Sequence, residues 1–260
     1  MSEILAVRDL AKSFGSVVAA RDISVSVPAG QTVGIIGANG AGKTTFVNMI
    51  TGHLSPSRGS IRFEDRDITG LPSRTITRLG ISRSFQVAQV FPTMTVIDNL
   101  RVATAIARGR DSTLKRLLQP LTSAETVAAA EAAAELFQIS RYRDARAATL
   151  PQGIRKLLDI AMAVAGTPRL LLLDEPTSGI SIEEKFDLMA VVMSALKTRK
   201  ITVLFVEHDM EIIGRFADRV LAFYDGTVIA DETPGAVLAD PKVQTLISGT
   251  KRAHVGEVHA

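Results

Sequence analysis

The stretch VGIIGANGAGKTTFVNMITG, Val33 to Gly52, decides what kind of fold this chain adopts. It opens on VGIIG, a short unbroken apolar run with the pattern of a strand buried on both faces of a parallel sheet. It closes on TTFVNMITG, which has the composition of a helix ending at Gly52. Between the two, GANGAGKTT fits G-x-x-x-x-G-K-[ST]. Glycines let such a loop curl until successive N–H groups and the following helix N-terminus face phosphate oxygens. Gly37, Ala38, Asn39, Gly40, Ala41 and Gly42 would form the cradle. Lys43 would reach the β- and γ-phosphates, Thr44 would hold Mg²⁺, and Thr45 would reach the α-phosphate. The pattern arises by accident in about one chain in a hundred of this length. Here it also has its required context, a strand before it and a helix after it.

A second site completes the chemistry. In LLLLDEPTSG, Leu170 to Gly179, the apolar strand places Asp174 at its carboxyl end, where open α/β sheets bind ligands. Asp174 is the candidate for ordering the Mg²⁺ shell. Glu175, one residue on, is the candidate general base for the water that attacks the γ-phosphate. An Asp-Glu pair after a strand is often only a polar strand end; the phosphate loop in the same chain favours ATP hydrolysis.

The rest of the chain reads as an α/β domain with an insertion. Residues 4 to 10 and 23 to 27 mix alternation with β-branched residues, as in strands of an antiparallel flank. ITVLFVEHD, 201 to 209, reads as a further buried strand. The interval 96–148 is rich in Ala and Arg, with helix-forming windows such as ETVAAAEAAAELF. It is expected to be a helical subdomain inserted between an ATP-binding core of residues 1–95 and 149–235, with 236–260 as a C-terminal extension. TKRAHVGEVHA, the end, is expected to be loosely held.

Composition narrows the partners. The 260 residues are 46% hydrophobic and 22% charged, enough for an ample core, and the net charge of +3 does not argue for nucleic acid. The longest apolar run near a motif falls far short of the roughly 20 residues needed to cross a bilayer. The opening MSEILAVRDL carries Glu3, Arg8 and Asp9 and no apolar signal core, so a cytosolic face is expected. Cysteine is absent, which removes disulfide and thiol chemistry. Arg108, Arg110, Lys115 and Arg116, with Arg141, Arg143 and Arg146, make the helical region basic; solvated helix surface is the simplest reading. His254 and His259 lie five apart, which misses the spacing for one helix face.

The phosphate loop, Asp174-Glu175-Pro176 and His208 after VLFVE together resemble the ATP-binding subunits of ABC transporters, over nearly the whole chain. The resemblance implies a P-loop ABC-type nucleotide-binding domain: an α/β fold with a RecA-like parallel-sheet core, an antiparallel β flank and an inserted α-helical subdomain. It implies that Phe14 in KSFG stacks on adenine and that His208 contacts the γ-phosphate. It also implies that Gln86 in SRSFQ serves catalysis and Mg²⁺ at the junction between core and helical subdomain. RSFQ, FPTMTVIDNL, VEHDM and TPGAVLADPKV resemble more narrowly the larger of the two ATP-binding subunits of branched-chain amino-acid importers. Such a subunit binds the cytoplasmic face of two membrane permeases and pairs with a second ATP-binding subunit, while a separate periplasmic or extracellular protein captures the amino acid. Two ATP molecules would lie between phosphate loops and opposing signature loops of a head-to-tail dimer. Val87 to Met94 would sit in the moving joint that receives a permease helix. The alternative function is an ABC-type module that switches partners without transport.

Two departures bear on this. The signature usually reads Leu-Ser-Gly-Gly-Gln, and the chain offers Leu150, Pro151, Gln152, Gly153 and Ile154. The missing serine hydroxyl would weaken the bond to a γ-phosphate by about tenfold to a hundredfold, yet GIRKLLDIAMAVAG, 153–166, still reads as a helix whose start offers N–H groups and positive dipole. Ser181 stands where the family usually carries an aspartate, which puts communication between the two ATP sites in doubt. Each composite site takes its signature from the opposite chain, so these departures fall on the partner's site and point to an asymmetric heterodimer.

Overall fold

The computed structural model describes residues 2–84, 89–108 and 123–247. Strand β1 (Glu3–Phe14) pairs antiparallel with β2 (Val17–Pro28) and with β4 (Arg58–Phe63), and β5 (Arg66–Asp67) completes a sheet of order β2-β1-β4-β5. The first two strands outrun the residues 4–10 and 23–27 that alternation marks. Their ladder continues through irregularities, such as the shift between Val7 and Leu10, that break the period of two.

The second sheet has the order β10-β9-β3-β8-β7-β6. Its strands are β3 (Thr32–Gly37), β6 (Ile81–Ser84), β7 (Leu170–Asp174), β8 (Thr202–Val206), β9 (Arg219–Tyr224) and β10 (Thr227–Glu232). All neighbours from β9 to β6 run parallel, and β10 closes the edge antiparallel. The buried-strand run read over 201–209 is shorter than its apolar pattern: β8 stops at Val206, because Asp209 turns to cap a helix through the N–H groups of Glu211 and Ile212.

Unbroken apolar runs are explained by a sheet covered on both faces. Leu170, Leu172, Leu204 and Val206 face one core with Phe46 and Ile50 of α1 (Lys43–Ile50) and the antiparallel sheet. Leu171, Leu173, Val203 and Phe205 face the other core. Helices α3 (Val96–Arg108), α4 (Ala124–Leu136), α5 (Gln152–Val164), α6 (Ile182–Thr198) and α7 (Met210–Phe216) build that second core. A short α2 (Ser73–Leu79) precedes β6, and α8 (Pro234–Ala239) and α9 (Pro241–Ile247) follow β10. Helix α5 packs against α3 and β6, so it links the helical layer to the sheet. The adjacency β3-β8-β7 then sets the carboxyl ends of three strands side by side, each followed by a motif read above.

Candidate functional site

The loop after β3 has the conformation its glycines require. Gly37 (φ 153°) and Gly42 (φ 98°) both occupy the glycine-favoured region. A Cβ on Gly37 would stand 2.5 Å from the Phe223 carbonyl, and one on Gly42 would stand 2.7 Å from that of Ala19. The backbone therefore lies hard against β9 and β2, while Asn39 and Gly40 at the tip are exposed. Helix α1 starts with no side-chain cap and no acidic residue in its first turn. Its opening N–H groups and positive dipole end are left for an anion. Thr44 is exposed and Thr45 half-buried in that turn.

Lys43 is buried, and its Nζ donates to the carbonyls of Gly37 at 2.6 Å and Ala38 at 3.0 Å. Burial pushes its ammonium below the ordinary lysine value, against the attraction of Glu175 and Asp174. Asp174, at the end of β7, accepts from Nη2 of Arg83 at 2.5 Å, and Nη1 of Arg83 donates to Asn48 of α1 at 2.7 Å. Glu175 stands in the left-handed region at φ 46°, its N–H bonded to the Val206 carbonyl at 3.0 Å. Its Oε1 accepts from Nε2 of His208 at 3.0 Å. Lys43, Asp174, Glu175 and His208 thus come together at the carboxyl edge of the sheet. A cavity of 640 Å³ opens elsewhere, lined by Arg62, Arg169 and Lys200 at the opposite strand ends, with none of these four residues.

The donor set fits magnesium phosphate. No group of three or more His, Cys, Asp or Glu side chains that could hold a metal ion occurs among the described residues. The Thr44 hydroxyl and the Asp174 carboxylate suit instead an ion held by one or two protein oxygens, phosphate oxygens and water.

Phe14 ends β1 as a residue 51% exposed, with the Lys12 ammonium 5.2 Å from its ring centroid. The hairpin that carries it is the one whose Ala19 carbonyl abuts Gly42. Gln86, with Val87 of the expected joint, lies outside the described residues, as do Arg110, Lys115, Arg116, His254 and His259. The segment Leu150–Gly153 leads into α5, which starts at Gln152. Leu150 is buried, Pro151 is the N-cap, and no side chain caps the helix. Gln152 has a contact the sequence did not reveal: its amide lies over Gly179, where an added Cβ would come within 2.3 Å of Nε2. Ile154 packs partly buried against the helical core. Ser181 caps α6 by accepting from the N–H of Glu184.

Several site residues escape sequence reading altogether. The Asp159 carboxylate on α5 accepts from the Ser84 hydroxyl at 2.6 Å and from the Gln89 N–H at 2.7 Å, on either side of Gln86. Burial raises its pKa, against those two bonds and Lys156. Lys156, also on α5, is 4% exposed; burial lowers its pKa, while Asp159, Glu207, Asp174 and Glu175 oppose that. Glu207 is 3% exposed beside His208. Glu207 falls inside VEHDM, but nothing in that stretch marks its partners, and Asp159 and Lys156 are placed by the strand order alone.

Comparison with known proteins shows the family. The family model described as ABC transporter matches residues 20–178. The high-affinity branched-chain amino acid transport ATP-binding protein BraF of Pseudomonas aeruginosa is 34% identical over 243 residues, covering 92% of this chain and 95% of the relative. The corresponding LivG protein of Escherichia coli K12 is 33% identical over 258 residues, 98% of each chain. Among solved structures, the ADP conformation of an ATP-binding cassette of an ABC transporter superposes with a TM-score of 0.84 at 33% identity, covering 95% of this chain and 98% of that one.

Proposed function

The chain belongs to the ABC transporter family as an ATP-binding subunit and is an ATPase, and on that premise we propose that it powers import of branched-chain or related amino acids. The observation that carries the hydrolytic assignment is the Glu175–His208 hydrogen bond at the edge where Lys43 and Asp174 also stand.

The mechanism follows from those groups. Lys43 exchanges the Gly37 and Ala38 carbonyls for phosphate oxygens, and the uncapped start of α1 supplies N–H groups to the same anion. Phe14 offers its exposed face to the adenine. Glu175 takes the proton of the attacking water, and His208 holds the carboxylate in line. Thr44 and Asp174 would hold a Mg²⁺ ion, which would supply positive charge against the phosphates. The products are ADP, inorganic phosphate and the proton accepted by Glu175.

The subunit works with membrane permeases, and none of its described helices is long and apolar enough to cross a membrane itself. It would sit on the cytoplasmic side of the plasma membrane, with a periplasmic or extracellular protein delivering the amino acid. A 350 Å³ cavity between α2, β6 and α3, lined by His53, Thr77, Phe91, Ile106 and Met162, suits a permease helix. Phe91 in that lining is a large apolar side chain left exposed, which supports that use. The second ATP-binding subunit would be a different chain, since Pro151, Gln152 and Ile154 weaken only the site built on the partner's phosphate loop.

Affinity purification of the chain from membranes, with identification of the bound permeases, tests the assembly, and uptake of labelled leucine by vesicles carrying it tests the substrate. Recovery with two permeases and a second ATP-binding subunit, with ATP-dependent leucine uptake, is the expected result. Uptake unaffected by loss of this chain would refute the transport role.

A further inference from the structure

The hydrolytic pair is drawn from two segments that the sequence separates by 33 positions, and one buried carboxylate joins them. Oε1 of Glu207 accepts from the Thr177 N–H at 3.0 Å and from the Thr177 hydroxyl at 2.6 Å. Its Oε2 accepts from the His208 N–H at 3.1 Å. Thr177 lies two residues beyond Glu175 in the same turn, and His208 follows Glu207 directly. We infer that Glu207 is a positioning residue: its carboxylate locks the turn that bears Glu175 to the segment that bears His208, and so sets the distance between them.

The main chain closes the turn on itself, through Ser178 N–H to the Glu175 carbonyl and Ile180 N–H to the Thr177 carbonyl, both at 3.1 Å, but these bonds do not join it to His208. A main-chain bond from Glu175 N–H to Val206 ties the start of the turn to β8, and a second from Glu207 N–H to Ile35 ties β8's end to β3. Neither reaches Thr177 or His208. Glu175 has already left extended geometry at φ 46°, so beyond it the strand register no longer dictates where the chain goes. Glu207 supplies the missing constraint with three donors on two oxygens.

The chemistry of the residue agrees. A carboxylate 3% exposed is costly to bury unless its oxygens are met by donors and a nearby cation. Thr177 and His208 provide the donors, and the buried Lys156 of α5 provides the cation. Val203 to Val206, just before it in β8, are apolar and buried, so an apolar residue at 207 would satisfy packing but not the turn. With its oxygens taken up by these donors, Glu207 acts through Glu175 and His208 rather than on the nucleotide.

The inference rests on Glu175 and His208 being the hydrolytic pair, and the test separates the two. ATP turnover is measured for the full-length chain assembled with its transporter partners, with kcat and KM obtained separately and the rate of Glu175→Gln taken as background. Glu207→Gln, which presents an N–H₂ where one acceptor stood, is expected to lower kcat by about tenfold to a hundredfold with KM for ATP changed by less than about threefold. Thr177→Val is expected to share that loss, while Thr177→Ser, which keeps the hydroxyl, restores most of it. In a His208→Ala background the further loss from Glu207→Gln is expected to shrink to about twofold, because both act on one unit. Wild-type kcat in Glu207→Gln and Thr177→Val, a loss confined to KM, or full multiplication in the double variant would overturn the inference. Should Glu207→Gln fail to fold by circular dichroism, the valine and serine variants of Thr177 carry the same decision. Undiminished turnover in Glu175→Gln would instead remove the pair itself, and this inference with it.

Discussion

Oε1 of Glu175 and Nε2 of His208 meet at 3.0 Å although β7 and β8 bring them from separate strand ends. A carboxylate held this way has one oxygen oriented by the imidazole. Replacing Glu175 with Gln removes the proton acceptor but keeps the shape. Turnover is expected to fall by at least about a hundredfold, while ATP is retained in a closed dimer that size-exclusion chromatography detects. Intact turnover would show that another group accepts the proton.

Phe14 is the exposed end of its strand, so its truncation should spare the fold and strike the ligand. Phe14→Ala is expected to weaken ATP binding by about 1–3 kcal/mol, the range of one base stacked on an aromatic ring. Calorimetric titration with ATP and with tripolyphosphate separates the two contributions: only ATP should lose affinity. Equal losses for both would place the ring elsewhere than on the base.

Arg83 and Asp174 are 10% and 17% exposed at their side chains, and Arg83 also holds Asn48 of α1. Arg83→Met leaves the Asp174 carboxylate without its ion-pair partner. Urea denaturation is expected to show a stability loss of about 3 kcal/mol, typical of breaking a buried pair from one side. Adding Asp174→Asn should recover part of that loss, and failure to recover any would mean the two do not act as a pair.

The segment Pro151-Gln152-Gly153-Ile154 allows a gain-of-function test. The triple change Pro151→Ser, Gln152→Gly and Ile154→Gln is expected to raise ATP turnover by the chain alone by about tenfold, by restoring a hydrogen bond to the phosphate across the dimer. An unchanged rate would mean that the departures do not limit the homodimer.

Asp209 caps α7 and bonds Lys185 of α6. Burial pushes its carboxyl upward, but the Lys185 bond and two backbone N–H groups outweigh it and hold the pKa below the ordinary aspartate value of 3.8. The folded state therefore favours the ionised form. That stability is fully present above pH 3.8 and is lost as pH falls through the lower folded value. Asp209→Ala should cost about 1 kcal/mol at pH 7 as a lost cap. Thermal melts below pH 4 should show the gap to the wild type closing; a gap that widens on acidification would contradict the sign of the shift.

Local order was legible in the chain. VGIIG, LLLL and VLFV read as strands buried on both faces because each run is apolar without alternation, and each is buried in the structure. GANGAGKTT read as a phosphate loop because left-handed glycines and a following helix are properties of neighbouring residues. The end of β8 was not legible, since apolar character continues while Asp209 has already turned to cap α7.

What only the tertiary structure decided are the contacts that span the strand order. Arg83 reaches Asp174 because β6 pairs in parallel with β7, in a register that sets Arg83 against Leu172. Gln152 covers Gly179, and Glu207 bridges to Thr177, only once α5 and β8 lie beside the turn after β7. A motif is written in dihedral preferences and periodicity that act over a few residues, so the sequence by itself determined the phosphate loop, the strand that ends at Asp174 and the helix that follows Pro151. Hydrogen bonds and ion pairs fall off within a few ångströms, so their partners were set by the folding that placed distant segments side by side.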